Sequence, residues 1–196
     1  MARTFQVTFD YLCPFARIAN EVVVDAIEDG AGWDVSFVPF SLAQTKVSED
    51  ETPVWERPDG AEGTRGVLAL QWGIAVRDEF SEAFGAYHRA LFDARHSDAA
   101  DINEEATMRS VAETVGLDPD EVSAVVATGQ PLATLGEEHT EAVKRHGVFG
   151  VPTFIDGDDA VFVRLMDRHC RGDVERILDM LAWTNVNEFK RTRIPR

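Results

Sequence analysis

Cys13 stands in the run Asp10-Tyr-Leu-Cys-Pro-Phe-Ala16, between a segment of alternating apolar and polar residues and a segment of helical period. A cysteine at the start of a helix lies in the field of unpaired backbone N–H groups, which stabilise a thiolate and lower the thiol pKa. The thiolate is the nucleophile, so attack on a disulfide or on an electrophilic carbon is the chemistry such a position offers. The other reading is a small buried residue closing a strand, because free cysteine is common in cores. Pro152 is the second notable residue. It follows Val151 in Gly147-Val-Phe-Gly-Val-Pro-Thr-Phe154, where a strand begins. An X-Pro bond at such an entry is either a cis peptide or part of an ordinary edge strand. Cys170 is the only other cysteine, so at most one disulfide can form.

The elements that must position these residues follow from periodicity. Phe5-Gln-Val-Thr-Phe9 alternates like a strand, and Phe15, Ile18, Val22 and Ala26 share one face of a helix that Gly30 stops. Pro14 falls in the first turn, where its missing N–H costs nothing. Trp33 to Val38 alternates again, and a strand–helix–strand crossover favours parallel pairing. Residues 48–63 carry Glu49, Asp50, Glu51, Glu56, Asp59 and Glu62 and read as an acidic exposed loop. From Thr64 to Gly129 the period is helical, with Phe80, Phe84, Tyr87 and Leu91 forming one apolar stripe. Asp118-Pro-Asp-Glu121 is a helix start with a capping pair. Glu137 to His146 is helical and ends at Gly147. Val148 to Ile155 reads as a strand, and Asp156-Gly157 turns the chain into Val161-Phe-Val163. Val174, Ile177, Leu178 and Leu181 mark a final helix. The order predicts a split α/β domain over 1–45 and 137–183, an all-helical insertion over 64–136 and a basic tail over 184–196.

Charge narrows the partners. The 196 residues hold 35 acids against 19 bases, a net charge of −16. A field of that sign repels phosphate backbones, so no nucleic-acid partner is expected. No run approaches the ~20 apolar residues of a membrane span, and the first residues lack the apolar core of a secretory signal. A cytoplasmic setting is the expectation. His88, His96, His139, His146 and His169 form no compact ligand set, and the cysteines no Cys-x-x-Cys, so no metal is expected. Trp72, Tyr87 and His88 are candidates to line a cleft between the insertion and the α/β core, because pockets favour domain junctions.

Together, the Cys13 motif and the Val151-Pro152 loop resemble the thioredoxin superfamily, in its DsbA-like branch with an inserted helical domain. The resemblance spans nearly the whole chain. It implies a thioredoxin fold in which Cys13 is the nucleophile and Pro14 sets the thiolate's environment. It also implies that Val151 and Pro152 hold a substrate backbone or thiol cofactor beside the sulfur, with Phe15 shaping the entrance. Ser41-Leu-Ala43, Arg171-Gly-Asp173 and the ending Phe189-Lys-Arg-Thr-Arg193 are similar to the mycothiol-dependent reductases of that branch. One departure matters: dithiol members carry Cys-Pro-x-Cys, whereas here Ala16 fills the fourth place.

Exchange completed inside the motif is therefore excluded. Cys13 can still form a mixed disulfide, to be resolved by an external low-molecular-weight thiol, mycothiol or glutathione. Cys170 is either an alternative resolving thiol or a structural one. The expected partners are a small thiol and a disulfide or electrophilic small molecule, with a homodimer allowed. Cys-Pro-Phe-Ala also resembles kappa glutathione transferases and 2-hydroxychromene-2-carboxylate isomerases, which generally place serine at the Cys13 position. A thiol-dependent isomerase or transferase is thus the second reading. A non-catalytic binding protein that has lost the second cysteine is the third.

Overall fold

A computed structural model describes residues 3–58 and 60–185; most of the basic tail, including Phe189 to Arg193, lies outside the described residues. Strand β1 (Arg3–Phe9) leads through helix α1 (Pro14–Glu28) to β2 (Trp33–Pro39). Five helices follow: α2 (Val67–Glu79), α3 (Ser81–His96), α4 (Glu105–Thr114), α5 (Pro119–Ala127) and α6 (Gln130–His146). The hairpin β3 (Thr153–Asp156) and β4 (Asp159–Phe162) and the helix α7 (Arg171–Leu181) are the last elements among the described residues. The sheet order is β2-β1-β3-β4. β1 runs parallel to β2 with Val7 opposite Phe37, and antiparallel to β3 with Val7 opposite Phe154.

β1 is central, and its sequence shows how. Phe5, Val7 and Phe9 are buried as alternation predicts, but Thr8 is buried too. Its hydroxyl oxygen accepts the N–H of Thr153 at 2.8 Å, which ties the middle of the sheet to the loop before β3. Both faces of the strand are therefore covered at its C-terminal end, beside the Cys13 corner, whereas Thr4 and Gln6 leave the Thr8 face exposed further back. α1 packs against β1, α3 and α7, and α6 packs against β2.

Several sequence expectations shift in detail. α6 begins at Gln130 with Pro131 in its first turn, so the boundary drawn at residue 137 falls inside one continuous helix. The segment from 148 to 152 is loop rather than strand, and strand pairing starts only at Thr153. The acidic loop is not wholly exposed: Val54 joins the core, and the Trp55 ring lies 5.2 Å from that of His139. Trp72, Tyr87 and His88 line no open cleft, since all three are fully buried. They belong to the packed seam between α2, α3 and the sheet. The Asp118 cap forms as expected, accepting the N–H of Asp120 at 2.9 Å.

A buried ion cluster fastens α1 to two distant segments. Glu21 accepts from Arg17 Nε at 2.7 Å and from both Nε and Nη2 of Arg168, at 2.7 and 2.8 Å. Arg17 also reaches Asp93 and Ser97 on the α3 side. Glu21 and Arg17 are both buried, so each charge depends on the other for its solvation.

Candidate active site

The corner between β1 and α1 is set by Asp10. Its Oδ1 accepts the N–H of Leu12 at 2.8 Å, and its Oδ2 accepts the N–H of Leu42, beyond β2, at 2.7 Å. Its carbonyl accepts the N–H of Cys13 at 3.0 Å. The chain is thereby turned so that Cys13 takes the N-cap position of α1, with Pro14 opening the helix. Burial pushes the Asp10 carboxyl up to about 6, against the two N–H groups that hold it down.

Tyr11 anchors the same corner from beneath. Its hydroxyl meets His88 Nδ1 at 2.8 Å, and His88 Nε2 meets Asn20 Oδ1 at 3.1 Å. The Asn20 amide donates to the carbonyls of Ala16 at 2.8 Å and Thr8 at 3.4 Å. Only one proton arrangement satisfies this chain. The Asn20 amide group must face two carbonyls, so its oxygen accepts from Nε2–H, and Nδ1 accepts from Tyr11. Burial holds His88 down at about 3, so it stays neutral. Tyr11 reaches this position only because residue 73 on α2 is glycine: a Cβ there would collide with the Tyr11 hydroxyl and ring.

Cys13 is partly buried. Its Sγ accepts the N–H of Ala16 at 3.5 Å and donates to the carbonyl of Val151, also at 3.5 Å. The Val151–Pro152 bond is cis, and Val151, Pro152 and Ala16 are buried. The structure therefore brings Cys13, Ala16 and Val151 into direct contact, with Pro152 next in the chain. Pro14 is exposed and Phe15 half-buried. The expected lowering of the thiol pKa is corrected. Burial pushes the Cys13 thiol above its ordinary value, and the negative charge of Asp10 adds to this; the N–H groups of Ala16 and Phe15 and the charge of Arg164 pull the other way. The helix start does stabilise the thiolate as anticipated, but desolvation outweighs it.

Residues that the sequence reading gave no role also face this site. Asp10 was visible as an acid at the end of an apolar strand, a type known to turn the chain through its side chain. Arg164 gave no comparable signal. Phe149 is 71% exposed and packs on Phe162 with ring centroids 5.0 Å apart. Both cysteines are free, and Cys170 stands at the N-cap of α7. Among the described residues no group of three or more His, Cys, Asp or Glu could hold a metal ion, and no helix is long and apolar enough to cross a membrane. A cleft of about 560 Å³ lies along β2 and α6, lined by Phe37, Arg77, Glu138 and His146; Cys13 does not line it.

The Asp10 carboxylate gives a pH prediction. Asp10→Asn removes a negative charge beside the sulfur, so the midpoint of Cys13 alkylation by iodoacetamide should move to lower pH. An unmoved midpoint would show that Asp10 acts on the corner by shape alone. The effect on folding has its own sign. Because the folded value lies above the unfolded one, ionised Asp10 opposes folding, and this opposition fades as pH falls from about 6 toward 4.

A parallel strand pair crossed by α1, an antiparallel hairpin, and a thiol capping α1 against the residue before a cis proline define a thioredoxin-like protein. The chain belongs to the DSBA-like thioredoxin domain family, whose model matches residues 4–167. Solved structures agree on the fold. A 2-hydroxychromene-2-carboxylate isomerase is 18% identical with a TM-score of 0.64, over 93% of this chain and 97% of that one. A thioredoxin-like oxidoreductase from Silicibacter pomeroyi DSS-3 is 20% identical with a TM-score of 0.62, over 92% and 87%. The thiol-disulfide exchange protein alpha-DsbA2 from Wolbachia pipientis is 17% identical with a TM-score of 0.62, over 91% and 81%. No curated protein matches the chain.

Proposed function

We propose that the protein is a thiol-disulfide oxidoreductase working through Cys13 alone, with an external low-molecular-weight thiol, mycothiol or glutathione, completing the cycle. The observation that carries this is the content of the first helical turn: the sulfur at its N-cap faces the N–H of Ala16, where no second sulfur exists. Cys13 loses its proton to solvent, and its thiolate attacks one sulfur of a disulfide. A Cys13–S–S–R bond forms, the S–S bond of the substrate breaks, and R–S⁻ leaves and takes up a proton. A second small thiol then attacks the mixed disulfide, releasing Cys13 as thiolate and a new small disulfide. Electrons pass from the small thiol to the substrate, and the protein ends as it began. Val151 and Pro152 offer the surface beside the sulfur, and Phe15 borders the entrance. A raised thiol pKa keeps the thiolate fraction small at neutral pH, so attack should accelerate about 10-fold per pH unit below that pKa. A pool of reduced small thiol belongs to a cytoplasmic setting, which this reading assigns to the protein.

The second reading is a thiol-dependent isomerase or transferase of the kappa type. It is favoured by the neutral thiol itself, which donates to Val151 much as a hydroxyl would. Intact-protein mass after incubation with oxidised mycothiol or oxidised glutathione separates the two. An adduct on Cys13 that excess reduced thiol releases is the expected result. No adduct, with turnover of an electrophilic substrate and no disulfide consumed, would replace the proposal with the isomerase. No adduct and no turnover would leave a binding protein.

A further inference from the structure

We infer that Arg164 makes the mouth of the Cys13 site a receptor for a carboxylate carried by the small disulfide or thiol that exchanges there, an inference that rests on the single-cysteine reading above. Arg164 follows β4 and is exposed. Its guanidinium carbon lies 5.1 Å from the centre of the Phe15 ring and 5.6 Å from that of Phe162. Phe15 comes two residues after Cys13. Phe162 belongs to the other side of the site: a Cβ on Gly150, immediately before Val151, would stand 3.3 Å from its ring. The cation is thus held between the segment that supplies the sulfur and the segment that supplies its hydrogen-bond acceptor.

What holds Arg164 leaves its charge unspent. Arg17, Arg77, Arg89 and Arg168 close on carboxylates; among the described residues Arg164 closes on none. Arg57, Arg65 and Arg95 likewise close on no carboxylate among the described residues, but Arg164 alone of these four stacks on the rings beside Cys13, a local exception to the anion-repelling field of a chain with 35 acids. Stacking on aromatic faces fixes a guanidinium without neutralising it and leaves its N–H edge for a planar, bidentate acceptor. A carboxylate is that acceptor, and it pairs more strongly with the fork than any neutral group does. The consequence for the two candidate thiols is direct. Glutathione carries carboxylates, whereas mycothiol, an uncharged sugar thiol, carries none. The geometry favours the carboxylate-bearing class.

Arg164 also pulls the Cys13 thiol pKa down, but that effect is the same for every disulfide. Charge selection is not. The test is the rate of Cys13 adduct formation with dithiodiglycolate, hydroxyethyl disulfide and cystamine, which are anionic, uncharged and cationic. Arg164→Gln should slow dithiodiglycolate about 3- to 10-fold more than hydroxyethyl disulfide, while cystamine gains relative to both. Arg164→Lys should restore part of the difference, since it keeps the charge and loses the fork. Equal slowing of all three probes, or no change, would overturn the inference and leave the single-cysteine reading intact. If wild-type Cys13 takes no adduct from any probe, that reading fails instead. Arg164 is then decided by equilibrium binding of reduced glutathione to Cys13→Ser, with and without Arg164→Gln. Weaker binding with Gln keeps the carboxylate receptor, and equal binding removes it.

Discussion

Cys13→Ser should abolish mixed-disulfide formation while leaving the fold at least as stable. A serine hydroxyl at the N-cap can accept the Ala16 N–H and donate to Val151 as the thiol does, and serine is among the preferred capping residues. The helix should therefore hold. The hydroxyl, however, ionises far above the thiol and cannot sustain exchange with sulfur. Adduct formation should fall by about 10³-fold or more, to the background of an unassisted site. Mass spectrometry of the intact variant after exposure to oxidised glutathione reads the loss, and a thermal melt run in parallel reads the fold. Persistence of the adduct would mean that Cys170 carries the chemistry. That outcome would sink the assignment of Cys13.

The largest effect on stability is expected from Glu21→Ala. Glu21 and Arg17 retain only 6% and 9% of their side-chain exposure, and Arg168 adds a two-pronged contact to the same carboxylate. Removing the acid leaves the Arg17 cation buried, with Asp93 and Ser97 as its remaining partners. Breaking a buried pair from one side costs about 3–5 kcal/mol. For a chain of this size that corresponds to a fall in Tm of about 6–20 °C. The pair between Arg3 and Asp179 is the control. It is just as short at 2.6 Å, but its side chains are 40% and 67% exposed. Arg3→Ala should therefore cost no more than about 1 kcal/mol. Similar losses from both variants would show that burial at Glu21 does not amplify the pair.

The sequence disclosed those parts of the site that depend on residue type and local spacing. Cys13 before a proline and a helix was legible because each residue acts on its immediate neighbours. The strands around Val7 and Phe37 were legible from alternation. The start of α6 was not: Gln130-Pro131 after a glycine reads as a break, yet proline is tolerated in a first turn. The direction of the thiol pKa was not legible either. It turns on desolvation of Cys13 by the Val151 loop, 138 residues away in sequence. Arg164 escaped notice for a similar reason, since its stacking depends on where β4 ends relative to α1. The part His88 plays in the corner is not legible either, because its partners Tyr11 and Asn20 lie 77 and 68 residues off.

The Tyr11–His88–Asn20 chain has a consequence for motion. It runs from the turn before Cys13, through α3, back to the carbonyls of Ala16 and Thr8, and every member is fully buried. Swinging the helical block away from the sheet would break the two bonds that His88 makes, to the Tyr11 hydroxyl and to the Asn20 oxygen, in a seam that is dry when closed. Opening a hinge at that seam therefore costs about 1–3 kcal/mol for each polar group left unpaired. The helices and the thiol corner are thus coupled through buried hydrogen bonds, and on the reading proposed above the small disulfide reaches Cys13 from the side of Phe15 and the stacked guanidinium of Arg164.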